Sequence, residues 1–210
     1  MWASLVVAGL ALFFTIGSFW WLYARRGPLQ ISEPHTFAAY VSDNDVRIRL
    51  PLVMYNTGAV PIVVQNLRMV FPEDNAPLDY PWRNTRTQLT PASGDNDDLP
   101  AVFAVPGRQV VQKFIEFGGP FPGFVPVGRD VTAGIEAKLG HRDTWQHLLT
   151  FTLHMQHVAQ KGIYLAHSNS RTPCTPDEAE RANEVAKELL EKMRARHPGF
   201  GQADSVDASD

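Results

Sequence analysis

The strongest constraint on this chain is a charge-free run at its N-terminus. Trp2 to Tyr23 contains no Asp, Glu, Lys or Arg. As a helix rising about 1.5 Å per residue it reaches about 33 Å, enough for a hydrocarbon core of about 30 Å. Trp2 stands at one end and Trp20, Trp21 and Tyr23 at the other, where aromatic rings settle among lipid headgroups. Arg25 and Arg26 follow, and Gly27-Pro28 stops the helix. A signal peptide carries basic residues before its apolar run and small residues at its cleavage site. This run has no basic start and ends in bulky rings, so the expectation is a retained anchor over residues 1–24. The positive-inside rule then places Arg25, Arg26 and the body on the cytoplasmic side of the plasma membrane, with a single pass.

Beyond the anchor, the period of the apolar residues is two. Val46, Ile48, Leu50, Leu52 and Met54 alternate with Arg47, Arg49, Pro51 and Tyr55, as in a strand packed on one face. Pro51 lacks a ladder donor, which predicts an edge or a bulge there. Asn56-Thr57-Gly58 supplies a turn, and Ile62 to Phe71 restarts a strand with Val63, Leu67, Met69 and Phe71 on one side. Val131 to Leu139 and His147 to Met155 read as a hairpin across Gly140-His141-Arg142-Asp143. Val102 to Val105 and Val110 to Phe117 read as another across Pro106-Gly107, and Phe37 to Val41 as an early strand. Glu73 to Asp98 is rich in Pro, Asn, Asp and Thr and reads as a long surface connection. About seven short strands with Pro/Gly turns predict a mainly β fold, an antiparallel β-sandwich over residues 25–157.

After a linker (158–175) the period changes. Thr175-Pro176-Asp177-Glu178 is a capping box with proline at the first helical position. Ala182, Val185, Ala186, Leu189, Leu190 and Met193 recur at three and four, one stripe of an amphipathic helix over 176–197. The polar tail, 198–210, reads as disordered.

Leu50 to Gly58 followed by Pro61-Ile62-Val63-Val64 resembles the strand–N-x-G–strand segment of bacterial Ig-like and CARDB-type sandwich domains. Val105-Pro106-Gly107 is similar to their entry into an outer strand. With the N-terminal anchor, the layout resembles single-pass bacterial membrane proteins. The resemblance implies a domain that binds partners or acts as a spacer, and it carries no catalytic residue to this chain.

Nineteen Lys+Arg against 22 Asp+Glu give a net charge of −3, which offers no bulk attraction to a nucleic-acid backbone. His141, His147, His154, His157 and His167 crowd one stretch, but on a strand His154 takes the face opposite to His147 and His157, so convergence on a metal is not expected. The single cysteine, Cys174, sits among prolines as a linker residue. Asp95, Asp97 and Asp98 lack the glutamate and turn glycine of an EF-hand loop. G-x-x-x-x-G-K-[ST], G-x-S-x-G and H-E-x-x-H do not occur. The expectation is a non-enzymatic protein without cofactor. Its contacts are the lipid bilayer, through Trp2, Trp20, Trp21, Tyr23, Arg25 and Arg26, and a protein partner or second copy, through Val185, Leu189, Leu190 and Met193. An exported metal- or redox-handling domain using rim histidines is the alternative.

Overall fold

The computed structural model describes residues 2–42, 45–72, 79–120, 128–140, 142–158, 160–170 and 175–196. Helix α1 (Trp2–Phe19) runs into one π-helical turn (Trp20–Ala24), and no residue of either is buried. Together they are long and apolar enough to cross a membrane, a test that signal sequences also meet. The Arg25 N–H closes the last turn on the Trp20 carbonyl (2.9 Å), and its guanidinium lies over the Trp21 ring at 4.2 Å.

The body is a mainly antiparallel β structure: a curled half-barrel whose strands follow the alternations above. In chain order they are β1 (Leu29–Ile31), β2 (Thr36–Val41), β3 (Asp45–Asn56), β4 (Ile62–Val70), β5 (Tyr80–Arg86), β6 (Asp97–Asp98), β7 (Phe103–Val105), β8 (Val110–Pro120), β9 (Asp130–Leu139), β10 (Trp145–His154) and β11 (Leu165–Ser168). The hydrogen-bonded order is β10-β9-β4-β5-β8-β3-β2-β11; β1 pairs with β3, β6 with β5 and β7 with β4. Strand β5 joins the two halves, since Met69 of β4 pairs with Tyr80 while Trp82 pairs with Phe117 of β8. One core results. Ile48, Leu50, Leu52 and Met54 of β3, Leu67 and Met69 of β4, Ile115 and Phe117 of β8, and Ala133, Ile135 and Ala137 of β9 are all fully buried. Burying the Leu, Ile, Met and Phe side chains among these contributes roughly 1.5–3 kcal/mol each.

The β9–β10 hairpin forms as expected, Leu153 opposite Val131 and Phe151 opposite Ala133. Other expectations are corrected. Strand β3 is central: β8 pairs along its whole length, while β2 covers Val46–Arg49 and β1 covers Met54–Asn56 on the other side. Pro51 lies in the gap between β1 and β2, where no ladder donor is called for. Strands β7 and β8 do not form a hairpin, because β7 pairs with β4 and β8 with β3 and β5. The supposed loop from Glu73 to Asp98 contains β5, with Tyr80 and Trp82 buried. Val63 is exposed and Val64 buried, because a register shift after Val64 inserts a residue and flips the parity. The segment read as linker contains β11, which extends the sheet beyond β2.

Helix α2 (Pro176–Arg196) begins with the expected capping box. The Thr175 N–H donates to Glu178 (3.0 Å) and the Glu178 N–H donates to the Thr175 hydroxyl (3.4 Å). Its apolar stripe packs inward. Ala182 and Leu189 are buried, and Val185 and Ala186 lie against the core cluster. Ala186 abuts Gly128, leaving little room for a side chain at that glycine. Lys161 and Lys192 both pair with Glu188, and their hydrogen bonds hold its carboxyl below the usual range.

Candidate functional site

The chain leaves the apolar helix without a flexible stalk. The Ala59 N–H donates to the Arg25 carbonyl (2.7 Å), and the Thr57 hydroxyl and N–H both donate to the Pro28 carbonyl (3.2 and 3.3 Å). Arg108, held at φ 55° beyond Pro106-Gly107, donates from its guanidinium to the Trp21 carbonyl and from its N–H to the Gly58 carbonyl (2.8 Å). Asn56 organises this turn: its side-chain oxygen accepts from Gly58 (2.8 Å) and its amide donates to the Val60 and Val105 carbonyls (2.8 and 3.1 Å). Gly27 and Gly58 meet backbone to backbone, so a β-carbon on either would fall on the other's nitrogen. Gly58→Val is therefore expected to release the exit at a cost of about 1–3 kcal/mol. Hydrogen exchange should then show lost protection at the Ala59 amide, with the β9–β10 amides unchanged.

Beside this junction lies a groove of about 560 Å³. Pro28 and Leu29, Val60 to Val63, Leu139-Gly140 and Gln146 to Leu148 form its walls, and Arg26 and Arg142 stand on it. It opens where the half-barrel fails to close: β1 approaches β10, but among the described residues β1 pairs only with β3 and β10 only with β9. Its lining is apolar with a basic edge, and no described acidic residue contributes to it. Four arginines thus gather at the helix end of the body: Arg25 on Trp21, Arg108 on the Trp21 carbonyl, and Arg26 and Arg142 at the groove. The basic turns Gly107-Arg108 and Arg142 are the sequence signal for this cluster, legible only once both turns are known to lie beside the apolar helix.

On the outer face of the sheet, a second cluster is closed. Arg49 of β3 is fully buried although its neighbours Ile48 and Leu50 point into the core. The segment after β5 folds over it. The Arg49 guanidinium donates to the Gln88 carbonyl (2.6 Å), Asp95 (3.1 Å) and Glu116 (3.1 Å), and Tyr164 donates to Glu116 (2.9 Å). Arg86 lies 2.9 Å from Asp97 and 3.7 Å from Asp95, and Asp45 binds Arg47 (2.7 Å) and Arg83 (3.1 Å). Burial, then the Glu116 charge, pushes the Tyr164 hydroxyl far up, so it stays a donor. Arginines and carboxylates are matched here, and the cluster fastens the covering segment to the sheet. The reading of Glu73 to Asp98 as a surface connection is corrected for Asp95 too: its carboxylate is turned inward onto Arg49 and Arg86.

The histidines diverge. A register shift between His147 and Leu149 turns His147 outward, against its expected parity, where Thr150 contacts its Nε2 at 2.8 Å. His154 is buried, its Nδ1 2.9 Å from Asp130, and His167 stacks on Phe37. No group of three His, Cys, Asp or Glu suited to a metal occurs among the described residues. His141, Cys174 and the tail lie outside those residues, as do the side chains of His157 and Met193. Of the helix residues expected to meet a partner, Leu189 is in the core, Val185 is half-buried and Leu190 is 37% exposed. The β-body thus covers Ala182 and Leu189 of the stripe and leaves Leu190 at the surface. Compared with known proteins, the sequence matches no family model and no curated protein.

Proposed function

We propose that this is a single-pass membrane protein whose β-domain, a variant of the Ig-like sandwich, is a non-catalytic binding module held against the cytoplasmic face of the plasma membrane. The observation that carries this reading is the fastened exit. Hydrogen bonds from Ala59, Thr57 and Arg108 to backbone carbonyls between Trp21 and Pro28 fix the domain on the end of an apolar helix. A domain on a flexible stalk explores the solvent; a fastened one keeps one end at headgroup level. The sandwich reading is supported by the two halves that β5 joins, β4, β7, β9 and β10 in one and β1, β2, β3, β8 and β11 in the other, which share one core. A protein partner that meets α2 finds Leu190 and the charged outer face, since Leu189 is turned inward.

Arg25 and Arg26 set the side in this reading. Changing both to Glu is expected to weaken or invert the orientation while leaving insertion intact, because the apolar span is untouched. Protease added to right-side-out vesicles should spare the native body and digest that of the variant. Digestion of the native body from outside would overturn the placement.

A further inference from the structure

We propose that the groove between β1 and β10 binds the headgroup of an anionic phospholipid from the bilayer in which the helix is anchored; this rests on the membrane reading above. Three observations converge on that ligand. The groove begins at Arg26, at the exit of the apolar helix, and the fastened exit keeps it at headgroup depth. Its charge is of one sign: Arg26 and Arg142 are exposed on it, and neither has an ion-pair partner among the described residues. Its walls are apolar, with Leu29, Ile62, Val63 and Leu148 suited to the glycerol and first methylenes of an acyl chain. An anionic phospholipid presents that combination, a phosphate beside an apolar stem, and basic residues near a bilayer concentrate such lipids.

A peptide strand fits the groove less well, although both flanking strands have free edges. The irregularity at Leu148 breaks the regular ladder that an added strand would continue, and bulges of this kind blunt edges against pairing. An apolar small molecule would leave Arg26 and Arg142 unused.

The test uses the full chain in nanodiscs of phosphatidylcholine containing a minor fraction of phosphatidylglycerol. Both faces of a nanodisc are accessible, so orientation does not enter. After mild detergent release, native mass spectrometry reads the lipid retained on the protein. The native chain should retain phosphatidylglycerol in preference to phosphatidylcholine. Arg26→Glu with Arg142→Glu should lower that retention roughly tenfold or more, since each basic residue near the surface contributes several-fold to binding. Arg26→Gln with Arg142→Gln should give an intermediate loss. Arg181→Glu with Lys187→Glu, the same charge change on exposed positions of α2, should leave it unchanged. Equal retention by the groove variants and the native chain would overturn the proposal, and so would native retention without headgroup preference. Displacement of the lipid by inorganic phosphate alone would also overturn it, by making the site one for a free anion. The membrane reading fails separately, by release of the native chain from cell membranes on alkaline extraction.

Discussion

Arg49→Met is expected to destabilise the protein by about 3 kcal/mol, because the buried Glu116 and Asp95 lose their closest cation and keep only the longer contacts to Arg47 and Arg86. Arg49 gives hydrogen bonds to Glu116, Asp95 and the Gln88 carbonyl at once. Its loss therefore also unfastens the segment that covers the sheet. Replacing a buried ion pair as a whole is often close to neutral, so Arg49→Met with Glu116→Leu should recover part of the loss. Thermal unfolding in detergent reads the difference, about 10 °C or more for the single variant. Equal stability of Arg49→Met and the native chain would show that the cluster contributes nothing net. Acid should have a related effect. Burial raises the Asp95 carboxyl, but the Arg49 charge and the N–H groups of Thr87 and Gln88 outweigh it, and the net direction is down. A carboxyl lowered by folding contributes fully above its unfolded value of about 3.9, and that contribution is lost as pH falls through the folded value. In Arg49→Met the folded value rises towards the unfolded one, so Asp95 confers less stability at neutral pH and less is lost through it in acid than in the native chain.

Leu189→Glu is expected to cost about 4 kcal/mol or more. It removes a side chain that is 1% exposed and puts a carboxylate in its place, combining lost packing with an unpaired buried charge. Leu190→Glu, one position on and 37% exposed, should stay within about 0.5 kcal/mol of the native chain. Denaturant titration followed by the tryptophan signal distinguishes the two. Similar midpoints for both would mean that α2 does not pack on the β-body through this stripe.

Much of the fold was legible from period and turn chemistry. Val131 to Ala137 and Phe151 to Leu153 keep their alternation, and the register follows from it. The capping box placed the start of α2 to the residue. What was missed has physical causes. A bulge adds one residue and reverses every parity beyond it, so the exposure of Val63 and the outward turn of His147 are invisible to a strict period of two. Strand β5 carries Tyr80 and Trp82 among Pro, Asn and Arg, and its composition resembles a loop because Arg83 and Arg86 stand where they meet carboxylates across the sheet. Pairing across the sheet is not local, so β7 and β8 looked like a hairpin although a Pro-Gly turn carries the chain from one half of the sheet to the other. The two clusters of interest are the least legible. The buried ions draw on positions from Asp45 to Tyr164, and the basic end unites Arg25 and Arg26 with turns far along the chain.

The outermost strand of the β3 side, β11, pairs with β2, and the two are separated by most of the chain. Ribosomes deliver residues at about 5–20 per second, so β2 waits several seconds for this neighbour while β3, made at once, takes its other edge. By then the apolar helix has long been available to the insertion machinery. If the helix is held in a membrane, as proposed above, the half-finished sheet matures beside the bilayer, with an open β2 edge able to recruit stray strands. The Tyr164 hydroxyl on Glu116 and the His167 ring on Phe37 arrive together with β11. Completion of the sheet edge and sealing of the ion cluster are in this way one late event, and a chain truncated before Tyr164 is expected to be cleared or to aggregate, not to persist as a smaller domain.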